Sequence, residues 1–176
     1  MSLKVRISAL LILLALPTVM FVGCKTPDSE LQSKSAPEIQ TEAVLSSITE
    51  EEYQKIGTGS KPEEGVSIND LKKLSVSVKI IHSKNAVKRE IRIPDLTLID
   101  RYDRVRSTSA GSFEQNNIGT DDTAESAAWI IFDSRGMSEQ DIREIFKQSE
   151  IYAGYRIENR DMIENKISIG ESFVSI

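Results

Sequence analysis

The sequence predicts an α+β domain, with a small, mostly antiparallel sheet of about five strands, one main helix packed on it, and a flexible tether in front. Three observations predict this class. Apolar and polar residues alternate between positions 74 and 93, which is the period of half-buried strands. A helix with a complete capping signal begins after Ser138, and further apolar segments follow it. At 176 residues, the chain has room for one such domain.

The first 23 residues have the three-part pattern of an export signal. Lys4 and Arg6 precede an apolar run over residues 7–22, and the small residue Gly23 follows it. A membrane-spanning helix needs about 20 apolar residues, whereas this run is shorter and Pro17 interrupts it. The segment therefore predicts a removable signal that directs the remainder of the chain out of the cytoplasm.

The end of this run, Phe21-Val22-Gly23-Cys24, resembles the lipobox of bacterial lipoproteins. The resemblance covers residues 1–24 and implies that a diacylglyceryl group is joined to the Cys24 sulfur and that a peptidase cuts between Gly23 and Cys24. It implies a chain anchored by lipid to the cell membrane and facing outside the cytoplasm. Lys25 is compatible with the outer membrane if the host has two membranes. The alternative, an uncleaved signal anchor, would leave the chain tethered on the same side.

Residues 24–60 are predicted to be a lipidated flexible tether that contains a short helix. The segment is rich in Ser, Thr, Pro, Glu and Gln, and it offers too little apolar surface to offset the conformational entropy that folding would remove. Thr49 followed by three glutamates predicts a capping box and a helix that ends near Ile56. The folded domain is then predicted over residues 61–176.

The elements of this domain follow from local patterns. Residues 67–70 predict one helical turn, and residues 74–80 and 87–93 predict a hairpin whose second strand either ends at Pro94 or lies at a sheet edge. Residues 96–105 fit either a helix or a strand, and residues 107–126 predict a long polar loop. An apolar central strand is expected over 128–132, and Ser138 and Asp141 predict a capped helix. Two strands, near 151–157 and 166–176, complete the domain.

Composition excludes several classes of site. The chain has one cysteine and one histidine, so within one chain it cannot form a disulfide, a multi-thiolate metal site or a redox pair, and catalysis through histidine would depend on His82 alone. His82 lies at a predicted strand end, which is typical of a surface histidine. Because Lys4 and Arg6 fall within residues 1–23, the formal charge changes from −5 to −7 after cleavage. An acidic protein repels nucleic acids, so none is expected as a partner.

Carboxylates could in principle hold calcium. The acids that would do so are Asp95, Asp100, Asp103, Asp121 and Asp122. They lack the spacing of an EF-hand loop and are interpreted as solvated loop acids. We therefore predict no metal and no cofactor.

Two features are candidates for partner binding. Arg101, Arg104 and Arg106 form a basic run that could contact an acidic partner, or could instead pair with neighbouring acids. Phe113 and Ile118 are isolated apolar residues in the predicted loop. The sequence thus predicts a non-catalytic lipoprotein, held to the membrane through Cys24, that binds an envelope protein or wall polymer. The alternative is a small envelope hydrolase that uses paired carboxylates.

Overall fold

The computed structural model describes residues 36–56 and 65–176, and it confirms the predicted α+β class. Within these residues the strands are β1 (Glu38–Ser47), β2 (Leu71–Ile81), β3 (Ala86–Arg92), β4 (Ser107–Gln115), β5 (Ala124–Asp133), β6 (Glu150–Ile157), β7 (Ile163–Ser168) and β8 (Val174–Ser175). The helices are α1 (Glu50–Ile56), α2 (Glu139–Phe146) and α3 (Ile169–Ser172), and 3₁₀ turns lie at Ile68–Asp70 and Leu96–Arg101.

The strands form two sheets rather than one. The larger sheet has the order β4-β5-β2-β1-β8, and the smaller has the order β3-β6-β7. All pairings are antiparallel except that of β1 with β8. The alternation predicted for β2 is confirmed, because Leu74, Val76, Val78 and Ile80 are all buried. The apolar strand β5 lies between β4 and β2, as its composition predicts.

The main core lies between the inner face of the larger sheet and a second layer. That layer contains Ile142 and Phe146 of α2 and Ile151 and Ala153 of β6, all buried. Helix α2 begins as predicted, since the Ser138 Oγ accepts the Asp141 N–H at 3.2 Å and the Asp141 carboxylate accepts the Ser138 N–H at 2.8 Å. The apolar face of a short amphipathic helix thereby closes the core.

The predicted tether is wrong for residues 38–47, which form β1. This strand pairs with β2 along its whole length and with β8 on its other side. Only alternate residues need to be apolar in a strand, and Ala43 and Leu45 are each 5% exposed. A segment this polar on average can therefore still supply one face of a core. The short helix that follows is confirmed as α1, with the predicted capping box between Thr49 and Glu52.

The predicted hairpin between residues 74–80 and 87–93 is also wrong. Strand β2 pairs with β1 on one edge and with β5 on the other, so neither edge is left for β3. At the end of β2, His82 adopts a left-handed backbone with φ of 54°. Ser83 then donates its N–H to the Asp122 carbonyl at 2.7 Å. The chain turns away there, and β3 pairs with β6 in the smaller sheet.

The predicted loop 107–126 is instead the hairpin of β4 and β5. Residues 107–115 are polar and small, which is typical of a loop. They form a strand because β5 has a free edge with which their backbone can form hydrogen bonds. The predicted strand over 166–176 is likewise interrupted, because α3 separates β7 from β8. The ambiguous segment after Pro94 is a 3₁₀ turn that buries Leu96 and Ile99.

Candidate functional site

Strand β4 forms one edge of the larger sheet, and this edge is the candidate functional site. One side of β4 pairs with β5, and no strand in the described part of the chain pairs with its other side. Its sequence from Ser107 to Phe113 carries no charge. Edge strands are usually protected by charged residues or proline, because an unpaired edge is a template for another strand. This edge has only a bulge between Ser107 and Ser109.

An aromatic side chain lies against β4 on the outer face of the sheet. Trp129 faces Gly111 in the register, and a Cβ at Gly111 would lie 2.8 Å from the indole ring. The ring therefore covers the backbone of β4, and Lys73 Nζ lies 5.4 Å from its centroid. Phe113, opposite Ala127 on the same face, is 56% exposed. The predicted partner-binding residue Phe113 thus lies at this edge.

A groove of about 360 Å³ runs beneath the same strand. Its residues come from β4, β5 and the connection that follows β3. They include Ile93, Leu96, Ala110, Ser112 and Ala128. Apolar side chains and the polar residues Asp95 and Thr97 line the groove, while the adjoining strand edge carries backbone donors and acceptors. This combination of a free strand edge and a partly apolar groove suits an extended polypeptide, which would add as a further strand.

Both ends of β4 are held by partly buried polar contacts. At the start, the Asp100 carboxylate accepts the N–H groups of Arg106 and Ser107 at 2.7 Å each. At the end, Arg89 donates to Asn116 Oδ1 at 3.0 Å and to the Asp121 carbonyl at 2.8 Å. Arg89 is 4% exposed, and its Nη2 has no hydrogen-bond partner among the described residues. Arg89 is not among the predicted site residues, although its place among the inward-facing residues of an alternating strand distinguishes it in the sequence.

The three arginines of the predicted basic run lie in three different environments. Arg106 is buried and donates to both Asp103 oxygens, at 2.6 and 2.7 Å, and to the carbonyls of Asp133 and Arg135. Its proposed partner-binding role is therefore wrong, since its guanidinium is held inside the protein. Arg104 contacts Asp133 at 2.9 Å. Arg101 is exposed and is one of the residues that line a groove beside α2.

A second, larger groove of about 590 Å³ lies between the 3₁₀ turn that ends at Arg101 and helix α2. Leu98, Tyr102 and Ile145 supply its apolar part, and Asp141 and Glu144 are the acids that line it. The Ser138 side chain and N–H donate to the Asp141 carboxylate and lower its pKa. Asp141 is thus a deprotonated helix cap, which is not the state of a general acid.

The other acids considered as calcium ligands have protein partners. Asp95 accepts from Thr97, and Asp121 accepts from Gln115 and Asn117. Asp122 lies 3.5 Å from Nδ1 of His82, which is at the surface as predicted. Across residues 36–56 and 65–176, no three metal-binding side chains of His, Cys, Asp or Glu are grouped as an ion would require.

Ile118 is half exposed in the turn between β4 and β5, away from the edge itself. Gly23 and Cys24 lie outside the described residues. None of the described helices has the length and apolar character needed to cross a membrane. No protein-family model, curated protein or solved structure matches this chain.

Proposed function

We propose that this chain is a lipid-anchored protein on the outer side of a bacterial membrane, and that its folded part is a non-catalytic binding module. The location rests on the lipobox-like residues Phe21 to Cys24. Two or three acyl chains on one cysteine give nearly permanent attachment, because each buried methylene contributes about 0.8 kcal/mol. The described fold begins twelve positions after Cys24, so a fully extended connection would reach about 40 Å at most.

The single observation that carries the binding role is the unpaired edge of β4. It combines a strand that is uncharged from Ser107 to Phe113, an exposed phenyl ring and a partly apolar groove. Such a surface binds through backbone hydrogen bonds and burial of alternate side chains, and it requires no catalytic group. The partner in this proposal is an envelope component that presents an extended polypeptide segment.

The anchor is tested by Cys24→Ala. In the native host, we expect the wild-type chain to carry lipid and to lack residues 1–23, whereas the variant should incorporate no lipid and should keep residues 1–23. Mass spectrometry of the wild-type N-terminal peptide should show an acylated cysteine as residue 1 of the mature chain. An unmodified thiol behind an intact residue 23 would contradict the proposed location.

The binding role is tested by Phe113→Ser, because deleting residues 107–126 would remove β4 and the start of β5. We expect chemical cross-linking in native membranes to lose the partners that the wild type captures, while the melting temperature changes little. The matched control is Val174→Ser on the opposite edge of the sheet, because Val174 is also 56% exposed. Equal capture by wild type and both variants would contradict a role for this edge.

A further inference from the structure

We propose that the groove of about 590 Å³ beside α2 binds a short peptide of about three residues that has a free amino group, a free carboxylate and an apolar side chain. This groove, called the α2 groove below, is separate from the β4 edge, so the inference goes beyond the proposed function. It is supported by the juxtaposition of Arg101 on one wall, Glu144 on the other and apolar side chains in the same groove.

Each wall of the α2 groove is one face of a helical segment. On the α2 wall, the lining residues 141, 144, 145 and 148 have the spacing of neighbours on one helix face. On the other wall, Leu98, Arg101 and Tyr102 also recur every three or four positions. A rise of about 1.5 Å per residue makes the α2 wall about 10 Å long, which is about the length that three peptide residues span when fully extended.

The two walls carry opposite charges that do not pair with each other. The Arg101 guanidinium is exposed and forms no ion pair with the described residues. The Glu144 carboxylate lies 3.4 Å from Lys147 Nζ, and both side chains are more than half exposed, so this ion pair is weak. A ligand that carries both a carboxylate and an amino group would therefore pair with Arg101 and Glu144 at once.

The acids closest to Arg101 in the sequence are held by other groups. The Asp95 carboxylate accepts the N–H and the hydroxyl of Thr97, which lower the pKa of Asp95 more than the charge of Arg101 does. The Asp100 carboxylate accepts two backbone N–H groups at the start of β4. The Arg101 guanidinium is thus available to the carboxylate of a ligand.

The apolar part of the α2 groove is formed around Tyr102, whose side chain is 43% exposed. The Arg106 guanidinium lies 5.5 Å from the centroid of its ring, and Asp103 holds this guanidinium in place. Leu98 and Ile145 line the same groove and are partly buried. The position of the ring is therefore set before a ligand binds, and an apolar side chain of the peptide would be buried against these three residues.

Titration with a defined tripeptide tests this site. Alanyl-leucyl-alanine is added to the full-length chain in detergent micelles, and the amide chemical shifts of Ile145 and Gln148 are followed by NMR. We expect saturable binding that becomes about ten-fold weaker when the peptide is acetylated at its amino group or amidated at its carboxylate, because each change removes one charge-assisted contact. Trialanine should bind several-fold more weakly, because it lacks the large apolar side chain.

Matched variants connect each end of the peptide to one residue. Arg101→Gln should weaken binding about ten-fold and abolish the effect of amidation, and Glu144→Gln should do the same for acetylation. Arg160→Gln and Glu158→Gln change exposed residues outside the α2 groove and should leave the affinity unchanged. Equal affinity for free and blocked peptides, or equal losses in the control variants, would overturn the assignment.

Phe113→Ser separates this site from the proposed function. It should leave binding of alanyl-leucyl-alanine unchanged, because Phe113 lies at the β4 edge and not in the α2 groove. Loss of binding in Phe113→Ser but not in Arg101→Gln would place the peptide at the β4 edge and overturn the α2 groove as its site. If the tripeptide causes no saturable shift while Phe113→Ser still loses its envelope partner, this inference fails and the proposed function stands.

Discussion

At the scale of single residues, Asp133 joins the end of β5 to two arginines. Its side chain is 6% exposed and contacts Arg135 Nη2 at 2.7 Å and Arg104 Nη2 at 2.9 Å. Burial alone would raise the pKa of Asp133, but hydrogen bonds from the Arg135 side chain and backbone and from Arg104 outweigh burial and hold the pKa well below its ordinary value. The carboxylate is therefore charged at neutral pH and holds both guanidinium groups in place.

Asp133→Asn should lower the free energy of unfolding by about 1.5 kcal/mol at pH 7, because it removes the charged acceptor that two partly exposed arginines share. The folded-state pKa lies below the unfolded value of about 3.9, so this contribution is fully present above that value and is lost as pH falls through the folded-state pKa. Urea unfolding should show the difference from wild type shrinking between about pH 5 and pH 2. Asp161→Asn, at an exposed turn, is the control; equal stability of the two variants at pH 7 would contradict this role.

At the scale of elements, α3 packs directly on the last turn of α2. Arg143 of α2 donates to the carbonyls of Gly170 and Phe173 at 3.2 and 2.9 Å, and its guanidinium lies 4.0 Å from the Phe173 ring centroid. A Cβ at Gly170 would lie 2.1 Å from the Arg143 carbonyl oxygen and 2.7 Å from the Lys147 nitrogen. Glycine is thus required because the backbones of two helices approach closely.

Gly170→Ala should lower the free energy of unfolding by about 3 kcal/mol, since backbone atoms rather than a flexible side chain block the added methyl group. Chemical denaturation measures this directly. Glu171→Ala changes the adjacent exposed residue and should have a much smaller effect. If the two variants were equally stable, the close packing of α3 on α2 would not hold in solution.

At the scale of the whole molecule, β1 completes the larger sheet from a distant part of the sequence. It fills the edge of β2 and supplies the surface on which β8 pairs. The described fold therefore includes residues 38–47, well before the boundary at residue 61 that composition predicts.

Two truncated chains test this boundary. A chain that lacks residues 1–33 should unfold cooperatively, with a melting temperature close to that of the full chain. A chain that lacks residues 1–47 should not, because it exposes the edge of β2 and removes Ala43 and Leu45 from the core. Circular dichroism during heating distinguishes the two. Cooperative unfolding of the shorter chain would show that β1 is dispensable.

The candidate binding residues show which parts of the site the sequence could predict and which it could not. Phe113 was identified because an isolated apolar residue in a polar segment is visible in the sequence. The roles of Arg106, which is buried, and Arg101, which is exposed, could not be separated, because both belong to one basic run. Arg89 was missed because its partners come from residues 83, 116 and 121, which only folding brings together.

The sequence by itself determined the fold class, the capped starts of α1 and α2, and the alternation of β2, because each depends on residues within a few positions of one another. Only the tertiary structure decided which strands pair. It placed β3 in a second sheet because both edges of β2 were taken, and it made strands of two polar segments, β1 and β4, because neighbouring strands offered them hydrogen bonds. Strand pairing is set by contacts distant in the sequence, whereas local patterns describe only what each segment can do alone.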